Sequence, residues 1–217
     1  GPEPVESEPW AEMDYGPSLL NTYQVPTTGA APAESPHLVY KGLAVRLDPG
    51  PGGVARGSAW MLYDLDLMSF AAAWSSDTDA PRERFIDWNG IHFNGRHQIH
   101  PTIVGRVAAS HVGPGWGEPS SGSLIDAGRT IGRDGRAYGP LSHAWAERLA
   151  LHAAGDRSIL EYRVGSTRVL EMPGQMSLAT SGDATSGDST SLFTRTLQVG
   201  PRDRPLRLAI ASLDRTP

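Results

Sequence analysis

Three features of the 217-residue sequence predict an all-β fold: an antiparallel β-sandwich, jelly-roll-like, with long loops and little helix. The chain holds 25 Gly and 18 Pro, and these residues interrupt helices and make turns. Between them lie roughly ten short apolar runs, several alternating with the period of a half-buried strand. Two late runs, SILEYRV and TRVLEM, are separated only by Gly165-Ser166, the length and chemistry of a two-residue hairpin connection.

Gly1-Pro2 reads as the scar of a removed tag. Residues 1–36 form a Pro-rich acidic lead-in, extended rather than folded on its own, with Trp10, Tyr15 and Tyr23 docking it in part. Residues 37–217 are expected to make one sandwich domain. His37 to Leu47 alternates as a strand, and the Asp48 to Gly53 stretch is a loop. Ala59 to Trp74 contains two strand-like runs, and Phe85 to Trp88 and Ile99 to Val107 are weaker ones. Ser142 to Ala154 reads either as a capped helix or as a loop followed by a strand over Arg148 to His152, and the strand is preferred. Thr180 to Ser191, TSGDATSGDSTS, has no side chains able to build a core and is expected to be a mobile loop. Leu192 to Val199 and Leu206 to Leu213 are the last strands expected.

Composition removes several classes of function. The chain has 19 Lys+Arg against 24 Asp+Glu, a formal charge of -5, which argues against nonspecific nucleic-acid binding. No apolar run approaches the length needed to span a membrane as a helix. With no cysteine, the chain has no disulfide, thiolate metal site or C-x-x-C-H haem attachment. Lys41 is the only lysine among the basic residues, and an Arg-favouring coding background accounts for that.

The densest polar and aromatic segment runs from Ile86 to Pro101. Asp87, Trp88, Asn89, His92, Asn94, Arg96 and His97 in this strap, with Trp116 between glycines, are the candidate ligand-binding residues. A flat indole covers the C–H face of a sugar while neighbouring polar groups satisfy its hydroxyls; flanking glycines are expected to expose Trp116 on a loop. His97 and His100 are candidate metal ligands, because an i, i+3 pair converges on one ion if the backbone turns between them. H-E-x-x-H, G-x-S-x-G and phosphate-loop patterns are absent. Asp64 with Asp66, and Glu161 with Glu171 across the late hairpin, are the carboxylate pairs to weigh for glycoside hydrolysis. Asp64 and Asp66 also flank an expected turn, where Asp commonly bonds to backbone N–H groups.

The strings KGLAVRLDPGPGG, WMLYDLDLMSFAAAW, WNGIHFNGRHQIHP, AYGPLSHAW and HAAGDRSILEYRVGSTRVLEMPG occur here in that order. In them the chain, over Leu38 to Leu213, resembles an uncharacterised β domain found beside c-type cytochrome modules in large planctomycete-type extracytoplasmic proteins. The resemblance brings no catalytic motif. It implies a noncatalytic module, with haem c in a neighbouring module of the same polypeptide rather than any cofactor in this chain, in a periplasmic or cell-surface setting. The function expected is therefore polysaccharide or oligosaccharide binding. A sugar-active enzyme domain using a carboxylate pair or a His-bound metal, and a structural docking domain with no small ligand, are the alternatives.

Overall fold

The computed structural model describes residues 13–26, 37–48, 50–78, 84–87, 100–126, 128–179 and 189–211. Among them there is no α-helix, and the chain folds as the expected all-β sandwich-like structure. Seven strands form the larger sheet. They are β1 (Ser18–Val25), β2 (His37–Arg46), β3 (Ala59–Asp64), β4 (Ser69–Ser75), β5 (Phe85–Asp87), β6 (Thr102–Val104) and β7 (Arg106–Ser110), in the order β5-β6-β1-β2-β3-β4-β7. All pairs are antiparallel except the short β1–β6 contact. A two-stranded ribbon, β8 (Thr130–Ile131) with β9 (Ala137–Tyr138), precedes the smaller sheet. That sheet runs β10 (Ala146–Ala154), β11 (Arg157–Val164), β12 (Thr167–Ala179) and β13 (Ser189–Val199) in sequence order.

The smaller sheet covers one face of the larger. Leu43, Val45, Met61, Tyr63 and Phe70 meet Leu160, Tyr162, Val164 and Val169 there. The opposite face carries a second core of Tyr23, Trp60, Leu62, Trp74, Phe85 and Ile86. Neighbouring strands sit about 4.8 Å apart, so β5 in a flat sheet would lie some four spacings from β3. Instead the Phe85 ring is 5.6 Å from that of Trp60 and 6.1 Å from that of Trp74. The sheet must therefore curl until its first strand lies over its middle. Coverage on both faces explains why β3, AWMLYD, is buried at every position and reads as a continuous apolar run.

Several elements differ from expectation. The sheet begins inside the Pro-rich stretch: β1 is central, and Tyr23 is fully buried. The 142–154 segment takes the strand reading preferred over the helix, and the strand is longer than the 148–152 expected. Trp145 and Ala146 donate to the Ser142 carbonyl in a turn, and β10 follows. Leu206 to Leu213 is not a strand over its described part. It makes one isolated bridge, Leu208 to Trp116, because PRDRP just before it removes backbone donors and fixes turns. The hairpin at Gly165-Ser166 forms as expected. The expected mobile loop at 180–191 lies outside the described residues up to 188, while Ser189 to Ser191 begin β13.

Candidate functional site

Most of the strap lies outside the described residues, including Trp88, Asn89, His92, Asn94, Arg96 and His97. Asp87 ends β5, half-buried, opposite Thr102. His100 is half-buried, and its carbonyl accepts from Thr102 Oγ1 at 3.3 Å.

Trp116 overturns the expectation of an exposed platform: only 4 % of it is accessible. Its indole N–H donates to Tyr162 Oη at 3.1 Å, and its carbonyl accepts from Trp145 Nε1 at 2.8 Å. The flanking glycines serve close approach instead. A Cβ at Gly115 would stand 2.0 Å from the Met68 carbonyl oxygen, and one at Gly117 would stand 2.7 Å from that of Gly122. Trp116 lies in the core between the two sheets, whereas the start of β5 packs in the core on the other face. Asp87 and Trp116 therefore do not share a groove.

The carboxylate pairs also separate. Glu171 stands opposite Leu160, and Glu161 opposite Leu170. Side chains alternate faces along a strand, so Glu171 points into the core while Glu161 points outward to His152 and Arg168. Asp64 closes the β3–β4 turn, its Oδ1 accepting from the N–H groups of Asp66 (2.9 Å) and Leu67 (3.2 Å). Burial pushes its pKa up to about 6 against the opposing pull of those two bonds. It works as the turn's clamp, as Asp commonly does.

A different surface has the form of a site. Where β10, the edge of the smaller sheet, lies over β1 and β2, the sheets splay and leave a cavity of about 520 Å³. An apolar recess of about 60 Å³ adjoins it, and both are lined by Leu20, Leu65 and Arg148. The larger volume lies in the range of about 300–1,000 Å³ usual for small-molecule sites. Local rules place each wall. Leu65 N–H donates to the Lys41 carbonyl and Leu141 N–H to the Asp66 carbonyl, which ties the β3–β4 turn to β2 and to the 140–145 segment. The floor is apolar, with Leu43, Met68, Leu151 and Leu160 beneath the recess.

The polar wall is charged and largely neutralised. Lys41 Nζ stands 3.0 Å from Asp66 Oδ1. Glu147 lies 3.1 Å from His143 Nδ1 and accepts from Arg163. Outside the lining, Tyr40 precedes Lys41 and Tyr138 lies two residues before Pro140 in sequence. Their rings lie 5.2 Å apart and tilted by 47°. Tyr40 is 37 % exposed and Tyr138 half-buried. Tyr138 Oη donates to Asp134 at 2.6 Å, which holds the phenol above its ordinary pKa and the carboxyl below its own. Such a surface can cover an apolar face of a ligand and exchange hydrogen bonds with its polar groups. Among the described residues, no group of three His, Asp or Glu side chains could hold a metal ion.

Sequence reasoning missed this groove because five segments build it. Leu20 sits in the supposed lead-in, Lys41 was noticed only for composition, and Asp66 only as Asp64's partner in a turn or a carboxylate pair. The exposed leucines of β10, Leu149 (44 %) and Leu151 (41 %), are the one local signal that something unusual lies along this edge.

A curled sheet carrying a second sheet, with an open groove between them, makes this an all-β, sandwich-like domain. The model for a domain of unknown function, DUF6797, matches residues 61–171, just over half of the chain, and the protein belongs to that family. The match starts within β3 and ends within β12, so it leaves out β1 and β2, and it is narrower than the resemblance over Leu38 to Leu213. No curated protein and no solved structure matches the chain.

Proposed function

We propose that this domain is a noncatalytic module that binds polysaccharide in the groove between β1–β2 and β10, with the Tyr40–Tyr138 pair as its aromatic contact. The observation that carries the reading is one open cavity of about 520 Å³ with polar walls beside an apolar recess; the paired Tyr40 and Tyr138 rings stand near its lining residues in sequence. Ring faces cover sugar C–H surface, while Lys41, Asp66, His143 and Glu147 exchange hydrogen bonds with hydroxyls. A few such bonds, each worth about 1 kcal/mol net, give micromolar to millimolar affinity. The same reading sets the domain in an extracytoplasmic protein beside a c-type cytochrome module that carries the haem, as the sequence resemblance implies.

Calorimetric titration of neutral, uronate-bearing and sulfated oligosaccharides tests it. Binding is expected, and Tyr40→Ala is expected to weaken it about tenfold while the thermal midpoint holds. Silence across all three classes refutes the reading. Trp88→Ala in the same titration separates the groove from the strap: if it abolishes binding and Tyr40→Ala does not, the strap is the contact surface.

A further inference from the structure

The charges of the groove do not cancel evenly, and the remainder has one sign. Three carboxylates line it, and each is already held: Asp66 by Lys41, Glu147 by His143 and Arg163, and Glu161 by His152 and Arg168. Arg148 lines both the cavity and the recess, is exposed, and has no ion-pair partner among the described residues. Its position is fixed by the chain. Arg148 stands opposite Tyr162 in the β10–β11 register, just before the shift between Arg148 and Ala150. A β-bulge there re-aims side chains relative to the regular alternation.

Resting on the polysaccharide reading, we infer that the groove selects anionic glycans, with Arg148 receiving a carboxylate or sulfate of the ligand. Guanidinium is suited to that task, since its planar fork of N–H donors matches both groups. The domain as a whole carries a formal charge of -5 and repels polyanions at long range. Preference for an anionic ligand must therefore arise at a local contact.

The experiment compares the whole domain's affinity for oligogalacturonate, a sulfated dextran oligomer and uncharged dextran of equal length. Titrations run at low salt and at about 0.5 M NaCl, where charges are screened within a few ångströms. The two anionic probes are expected to bind about tenfold more tightly than the neutral one at low salt, and the gap to close at high salt. Arg148→Gln is expected to erase the gap by bringing the anionic probes down to about the affinity of the neutral one, and Arg148→Lys to keep most of the sulfate preference. If neutral dextran binds as tightly as the anionic probes, or if the preference survives Arg148→Gln, the inference fails while the polysaccharide reading stands. If no probe binds at either salt, the polysaccharide reading fails and takes the inference with it.

Discussion

The two faces of the curled sheet bury aromatic side chains in different ways. On the face covered by β5, each polar handle finds a nearby carbonyl. Trp60 Nε1 donates to Val54 at 2.7 Å, Trp74 Nε1 to Phe85 at 3.1 Å, and Tyr23 Oη to Leu19 at 2.7 Å. On the face covered by the smaller sheet, the handles converge on one buried carboxylate. Glu171, 1 % exposed, accepts from Tyr63 at 2.9 Å, Tyr162 at 2.6 Å and both Nε and Nη2 of Arg195. Burial, and then this carboxylate, push both phenols far above their ordinary pKa. Arg195 also lies against the faces of Tyr63 and Phe70 and donates to the Ala209 carbonyl. The first core is satisfied within short stretches of chain. The second ties β3, β11, β12, β13 and the C-terminal segment to one point, so it fixes how the sheets dock. That docking sets the width of the groove on the far side of β11.

The sharpest way to break this contrast is Glu171→Ala. It leaves the Arg195 guanidinium buried without its counter-charge, and about 3–5 kcal/mol of stability is expected to be lost in chemical denaturation. Glu171→Leu combined with Arg195→Met should recover most of that loss, because apolar replacement of a whole buried pair is often neutral. Failure of the double variant to recover would show that the cluster is needed for specificity of docking and not only for charge balance.

On the opposite face, Trp60→Phe removes volume and leaves the Val54 carbonyl only the longer 3.4 Å bond from the Gly57 N–H, and about 3 kcal/mol is expected. No second substitution on a distant element should rescue it. That outcome would confirm that this core is satisfied locally.

The turn at the groove's edge gives a smaller and pH-dependent effect. Folding raises the Asp64 pKa from its ordinary value of 3.8 to about 6, so folding favours the protonated form. The resulting stabilisation is fully present below the unfolded value and is lost as pH rises through about 6. Asp64→Asn keeps an oxygen acceptor for the two N–H groups and cannot ionise. Relative to this variant, the wild-type domain is expected to lose about 2 kcal/mol between pH 4 and pH 7. Parallel stability profiles for the two proteins would contradict the assignment.

The smallest change expected is Lys41→Gln. The ammonium is 60 % exposed, and such pairs contribute about 0–1 kcal/mol. Its effect should fall on ligand binding rather than on unfolding.

The strand content was legible in the sequence where one face of a strand differs from the other or where a turn is unmistakable. The β11–β12 hairpin, with its Gly165-Ser166 connection, and the Asp-clamped β3–β4 turn are of this kind, because both depend on residues within a few positions. The buried β3 run showed its burial but not which core each side chain entered, since alternation carries no information when both faces are covered. Trp116 was misread for a related reason. Glycine on either side permits both an exposed tip and a tight approach, and only the neighbouring Met68 and Gly122 carbonyls decide between them.

The residues alone determined that this chain pairs strands, breaks them with Gly and Pro, and carries no apolar run long enough for a helix to cross a membrane. Tertiary structure decided how the larger sheet curls, which carboxylates meet, and where a groove opens. Those outcomes rest on contacts such as Tyr63 to Glu171, 108 residues apart. Closing a loop of that length is an entropic cost that no local pattern encodes, and it is offset only when the whole set of long-range contacts forms together.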